Sequence, residues 1–415
     1  MSALVPPPLS LYLHFPWCVR KCPYCDFNSY TLHGELAEAE YVSALERDLE
    51  AQVPHVGQRT VVSVFMGGGT PSLFQPAAIA RVLGMVRRHL NLAADVEVTM
   101  EANPGTIERG RFSEYRAAGV TRVSLGAQSF DAGRLAVLGR IHSADETRRA
   151  AEELHAAGLD NFNLDLMYAL PEQEVSGALR DVEAALSLAP AHLSHYQLTI
   201  EAGTVFAGQP PSLPDDDLAA EMLSVCGDRL AADGFAQYEV SAYARGGRRC
   251  RHNLNYWGFG DYLGIGAGAH GKITGPGGIV RTWQTREPRR YLADPVGGLA
   301  RKRIPSEELP FEFMLNALRL VDGFEITAFA ERTGLEWIDV AGTVEALQAR
   351  GLLDCDQSTC RATPLGLKFL NDLLLSFLAK KPKTIGDSGL STVVSAPRNA
   401  SPAALYTGRE VADDK

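Results

Sequence analysis

The 415-residue chain has no apolar run of the roughly 18 residues that a membrane-spanning helix needs, so no transmembrane segment is expected. It has no excess of basic charge either. Its 40 Lys and Arg stand against 50 Asp and Glu, a net charge of −10. Nucleic acid is therefore not expected as a partner, because binding a phosphate backbone needs a basic footprint. The opening MSALVPPPLS lacks the basic and apolar regions of a secretory leader, so a cytoplasmic, reducing compartment is expected. There is no internal repeat of fixed period. Cysteine is sparse, seven in all. In a reducing compartment, clustered cysteines point to metal binding or catalysis rather than disulfides. Core material is in ordinary supply, with 46% of residues hydrophobic.

Short β-rich apolar runs alternate with helix-length segments over the first half. The runs cover 9–15, 61–66, 96–100, 121–125, 161–167 and 192–200. Between them Val42, Leu45, Leu49 and Val53 recur at helical spacing until Pro54. Ser143 and Glu146 fit a capping box, and Gly158 sits where that helix should end. Such repeats make βαβ units and a parallel sheet, either a barrel or a doubly wound sheet. After residue 200 a helix is expected over 215–233, strand-like or glycine-rich segments over 237–243 and 262–270, and a basic connector over 286–306. A helix over 311–320, two further helices, a β-ribbon over 352–362 and a helix capped by Thr363 with Pro364 at its first position complete the ordered part. This last pattern resembles a winged-helix module. Without a basic face it reads as a docking or capping element. Residues 379–415, rich in Lys, Pro, Ser, Ala and Gly, are expected to be a disordered tail. The expected divisions are 8–205, 206–300, 301–378 and that tail.

Three of the seven cysteines, Cys18, Cys22 and Cys25, fall within eight residues, in a turn-rich loop after the first strand. Thiolates select iron–sulfur clusters, zinc or copper(I). Structural zinc takes four ligands, usually as two pairs, and here no second pair exists. A Cys3His zinc site with His14, or three unligated thiols, are the alternatives. Three thiolates on a four-iron cube leave one iron open for a substrate or cofactor. One polar group also stands at the end of each successive run: Gly67-Gly68-Gly69-Thr70, Glu101, Gln128 followed by Arg140, Asp165, then Tyr196 with Gln197. Taken singly these are a tight turn, helix caps or solvated residues. Taken in order, they match barrels that place functional groups at the C-terminal ends of strands.

The C-x3-C-x2-C spacing, with Tyr24 directly before the third cysteine, resembles the radical-SAM superfamily motif. That resemblance implies a partial (β/α)6 barrel with a [4Fe-4S] cluster on Cys18, Cys22 and Cys25. Over residues 9–378 the chain is similar to the oxygen-independent coproporphyrinogen III oxidase group, and within it to the HemW-type heme chaperones. The resemblance implies that Tyr12, Tyr24, Gly68, Gly69, Thr70, Glu101, Gln128, Arg140 and Asp165 line a site for S-adenosyl-L-methionine. Carboxylates suit its ammonium and ribose hydroxyls, Arg suits its carboxylate, and glycine allows close backbone approach. The oxidases carry a fourth cysteine two residues after the third. Phe27 stands there in this chain, and only eleven residues precede Tyr12, so decarboxylase activity is not expected. The stretch Arg251-His252-Asn253-Leu254-Asn255-Tyr256-Trp257 resembles one found in the heme chaperones. His252 is a candidate heme ligand, since imidazole commonly ligates heme iron. Cys250 is a second candidate. The bland alternative is a glycine-rich strand and turn with His252 hydrogen-bonded inside. Cys226, Cys355 and Cys360 are expected to be ordinary thiols.

Three readings result. One is a heme chaperone that delivers heme to an acceptor protein, with an electron donor if radical chemistry occurs. The second is an oxidase, or a methyl or radical transferase, acting on a tetrapyrrole. The third is a cluster used for structure or electron transfer.

Overall fold

A computed structural model describes residues 4–106 and 111–378. The stretch expected to be a disordered tail, 379–415, lies outside the described residues. Six strands of alternating character build the interior: β1 (Leu9–Phe15), β2 (Thr60–Gly68), β3 (Asn91–Ala102), β4 (Arg122–Gln128), β5 (Phe162–Tyr168) and β6 (His192–Gln197). They run parallel and pair in that order. Successive side chains of a strand point to opposite faces. On β4, Val123 and Leu125 enter the apolar core, while Arg122, Ser124, Gly126 and Gln128 face a cavity. On β5, Leu164 and Leu166 do the first, and Asn163, Asp165 and Met167 the second.

The outward set packs under helices Glu38–Gln52, Pro76–His89, Ala144–Ala156 and Val175–Leu186, whose Leu45, Leu49, Val82, Val86, Leu154 and Val182 are buried with it. Each fully buried Leu or Val contributes roughly 1.5–3 kcal/mol. The expected capping box is present: Glu146 N donates to Ser143 Oγ at 3.3 Å and Ser143 N to Glu146 Oε2 at 2.7 Å. Gly158, at φ +69°, ends that helix.

The sheet continues past both edges of the six. Asp261–Ile265 pairs parallel with β1, Tyr12 lying opposite Gly264. His270–Gly275, Gly278–Trp283 and Ala300–Arg303 follow antiparallel. Beyond β6 lie Ala242–Arg245 and Phe235–Glu239, giving twelve strands in one sheet. The segment 237–243 is strand-like as expected, forming parts of two strands joined by a tight turn. One expectation changes here. The connector 286–306 holds a helix, Pro288–Ala293, because the Glu287 carboxylate accepts from the N–H groups of Arg289 and Arg290 and Pro288 opens the first turn.

Residues 309–378 enclose a second core with Phe313, Met314, Phe329 and Leu347 buried. Helices Leu309–Ala317, Ile326–Thr333 and Ile338–Ala349 pack there with a three-stranded sheet of Phe324–Glu325, Thr359–Ala362 and Leu353–Cys355. Thr363 caps the next helix through Gly366 N, as expected. Cys355 and Cys360, expected to be free thiols, are joined as a disulfide, because the ribbon places them directly opposite each other. Among the described residues no helix is long and apolar enough to cross a membrane.

Candidate functional site

The cysteine loop leaves the C-terminal end of β1 and is anchored where Trp17–Cys18 pairs with Tyr30–Thr31. Cys18, Cys22 and Cys25 are free and half-buried. Each thiol has a polar neighbour. Thr70 Oγ1 donates to Cys18 Sγ at 3.5 Å, Arg140 Nη1 to Cys22 Sγ at 3.7 Å, and Ser29 Oγ lies 3.8 Å from Cys25 Sγ. Burial raises Cys18 and pushes Cys25 up to about 12. Three thiolates so placed need a cationic centre between them, so the donor set fits an iron–sulfur cluster.

The zinc alternative loses its histidine. His14 Nε2 lies 2.9 Å from the Asn28 carbonyl and Nδ1 lies 2.7 Å from Tyr12 OH. A carbonyl only accepts, so Nε2 carries the proton and Tyr12 donates to Nδ1. Burial lowers this imidazole to about 4, and it is neutral.

Every site residue named from the sequence lines one cavity of about 270 Å³: Tyr12, Cys18, Cys22, Tyr24, Cys25, Gly68, Gly69, Thr70, Glu101, Gln128, Arg140, Asp165 and His252. They fall at two levels. The mouth, at the C-terminal strand ends, holds the cysteines and the polar strand-end residues. Glu101 Oε2 accepts from Gly68 N at 3.0 Å. Burial, with the like charge of Asp165, raises Glu101 to about 8. Asp165 accepts from Ser124 Oγ and Asn163 Nδ2, and burial raises it as well. Gln128 adopts φ +66°, rare for a side-chain-bearing residue, and accepts from Tyr196 OH at 2.6 Å. Arg140 Nη2 donates to the Gly126 carbonyl at 2.7 Å, while its Nε, buried, has no partner. The glycines have a packing role. A Cβ on Gly68, at φ +110°, would sit 2.4 Å from the His14 ring, and one on Gly69 would sit 2.6 Å from the Trp17 carbonyl. Their missing side chains seat the cysteine loop against β2.

The floor is closed by a helix, Arg251–Trp257, in place of the strand and turn of the bland alternative. Its start is held by a glutamate that the sequence reading passed over. Glu97 on β3 accepts from Arg251 N at 3.0 Å and His252 N at 3.4 Å. His252 is buried, stacks on Phe65 at 4.2 Å and lies 3.3 Å from Glu97 Oε1 through Nδ1. Cys250 Sγ is 3.1 Å from the same Nδ1. Against its own burial, bonding to His252 and the charge of Arg122 hold Glu97 down to about 2. Burial lowers His252 and raises Cys250. His252 therefore lies hydrogen-bonded in the interior, on the floor of the cavity. The missed residues had signals. Glu97 is four positions before Glu101, hence on the same face of one strand, and Arg122 is a lone charge at the start of an apolar strand.

A model of the radical SAM superfamily matches residues 12–185 and one of the HemN C-terminal domain matches 304–369. The chain is 48% identical over 380 residues to Heme chaperone HemW of Escherichia coli (strain K12), spanning 90% of this chain and 99% of that one. It is 44% identical over 381 residues to Heme chaperone HemW of Haemophilus influenzae, with 90% and 99% covered. The fold is similar to that of the solved coproporphyrinogen III oxidase (HemN) from Escherichia coli, with a TM-score of 0.76, 22% identity and 90% of each chain covered. The chain belongs to the Heme chaperone HemW family of radical SAM proteins.

Proposed function

We propose that this protein binds heme and delivers it to an acceptor protein in the cytoplasm. The observation that carries the reading is the 48% identity with a heme chaperone across 99% of that relative's length. Radical SAM proteins in general use a [4Fe-4S] cluster and S-adenosylmethionine. In this chain Cys18, Cys22 and Cys25 would hold the cluster, which supplies an open iron and one electron when bound. Glu101 and Asp165 would take the ammonium and ribose hydroxyls of S-adenosylmethionine. Tyr12, Tyr24, Gln128 and Arg140 would complete its walls. Gly68, Gly69 and Thr70 would act from behind, by seating the loop and donating to Cys18. In this division of labour 8–205 carries the cluster, 206–300 closes the floor and 301–378 offers a helical surface to the acceptor. With its Nδ1 held by Glu97, His252 would have Nε2 left as the nitrogen to ligate heme.

The oxidase reading is favoured by the fold likeness to HemN and opposed by Phe27, which replaces the oxidases' fourth cysteine. The test is anaerobic reconstitution with iron and sulfide, heme titration by absorbance, and a coproporphyrinogen III turnover assay on the same preparation. Saturation near one heme per chain without decarboxylation is expected. Decarboxylation without heme binding overturns the reading in favour of the oxidase. A His252→Ala variant that keeps full heme affinity removes that residue as ligand and leaves the chaperone reading standing.

A further inference from the structure

The floor of the cavity contains a charge with no counterpart in contact. Arg122, the first residue of β4, is 2% exposed and lines the cavity. Its Nε has no hydrogen-bond partner, and among the described residues no ion pair or hydrogen bond engages its guanidinium. A buried guanidinium with five idle donors is costly unless water or a ligand answers it. Its nearest acids are already spoken for. Glu97 accepts from the backbone of Arg251 and His252, and Asp165 accepts from Ser124 and Asn163. A second idle donor lines the same cavity: the indole Nε1 of Trp257, buried on the floor helix, also has no partner. The Trp257 ring is held in place beneath the Arg319 guanidinium, which pairs with Glu239 at 3.0 Å.

Two unanswered donors in one pocket call for an acceptor-rich ligand. Glu97, Cys250 and His252 gather their side-chain ligand atoms within 4.8 Å of one another, a spacing suited to a metal ion. The Arg122 charge, which acts on both Glu97 and His252, opposes a cation there.

We propose that the cavity floor is a second binding site, distinct from the cluster mouth, which takes a carboxylate group through Arg122 with Trp257 as an auxiliary donor. A charge-assisted pair between guanidinium and carboxylate is directional and strong in a water-poor site. The carboxylate could come from the propionate of a bound tetrapyrrole or from a free small acid. The tetrapyrrole source rests on the heme reading above, whereas the small-acid source does not.

The experiment compares heme with heme dimethyl ester, whose propionates are blocked, in absorbance titrations of the full-length reconstituted protein. Sodium propionate is tested separately as a stabiliser in thermal unfolding. Wild type is expected to bind heme about 10- to 100-fold more tightly than the ester, the range of a charged hydrogen bond. Arg122→Gln should abolish that preference, Arg122→Lys should retain part of it, and Trp257→Phe should reduce it a few-fold. Equal binding of heme and ester, with propionate raising the melting temperature of wild type but not of Arg122→Gln, also supports the site and assigns it to a free acid. Equal binding with no propionate effect overturns the site and leaves the heme reading intact. If heme and ester both fail to bind, the heme reading falls and the propionate arm alone decides the site. Should Arg122→Gln fail to fold, the ester ratio of wild type and the Arg122→Lys variant still decide.

Discussion

Glu97 and Glu101 stand four residues apart on the same face of β3, yet their surroundings drive their carboxyls in opposite directions. Glu97, at the floor, is held near 2, because bonding to His252 and the Arg122 charge outweigh its burial. Glu101, at the mouth, is raised to about 8, because burial and Asp165 outweigh its single backbone bond to Gly68. One end of the cavity has largely supplied its own counter-charges. The other holds two acidic groups and three thiols that want cations. Arg122 and the Trp257 indole are the exceptions at the floor, where the protein leaves donors unanswered. A binding site differs from a structural network in this respect: its polar groups are completed by something from outside.

The comparison breaks first at the cysteines. Cys22→Ser should abolish iron retention after anaerobic reconstitution, read by iron content and visible absorbance. Cys226→Ser, at a buried position on the helix Asp216–Ala232, should leave it unchanged. The next largest effect belongs to the floor. Glu97 has an ordinary value of 4.5 and a folded value near 2, so its stabilisation is complete above pH 4.5 and is lost as pH falls toward 2. Glu97→Gln should cost about 3 kcal/mol at pH 7, by chemical denaturation, and progressively less below pH 4. The mouth should show the reverse. A folded value of about 8 means that stability falls as pH rises from 4.5 through 8. Glu101→Gln should therefore stabilise the protein without S-adenosylmethionine by about 2 kcal/mol at pH 9, discounted because Glu101 opens on the cavity, and should leave pH 4 unchanged. The same variant should weaken S-adenosylmethionine binding at least tenfold, a trade of stability for function. The smallest effect is a proton count. If the ligand ammonium meets Glu101, binding at pH 7 should release close to one proton, measured by calorimetry in two buffers of different ionisation heat. No release would place the ammonium elsewhere.

The sequence showed the mouth better than the floor, and the reason lies in periodicity. Cys18, Cys22 and Cys25 are close in sequence, and the polar residues at strand ends interrupt apolar runs where a turn already signals a boundary. The pleat then brings Glu101, Gln128 and Asp165 onto one cavity without further information. The floor depends on contacts distant in sequence. The helix Arg251–Trp257 is only seven residues long and buries His252, Asn255, Tyr256 and Trp257, so no polar face marks its period. Its partner Glu97 is more than 150 residues away, and Asp261–Ile265 joins β1 across some 250 residues. The helix at Pro288 was masked by basic residues, although Glu287 followed by Pro288 carries a start signal. The glycines after β2 were legible as essential, but the reason is packing on His14 and Trp17.

Asn28, three residues beyond Cys25, sets an order of events. Its side-chain nitrogen donates to the carbonyls of Ala267 and Arg286, 239 and 258 residues later in the chain. As the polypeptide leaves the ribosome, the cysteines emerge well before the seat for their loop, whose two carbonyls follow Asn28 by 239 and 258 residues. Parallel pairing across such separations forms slowly. During that interval the thiols are exposed and unprotected, open to oxidation or to whatever metal is at hand. Cluster loading is thus a late event, and a chain truncated before residue 286 should make the cysteines without making a place for iron.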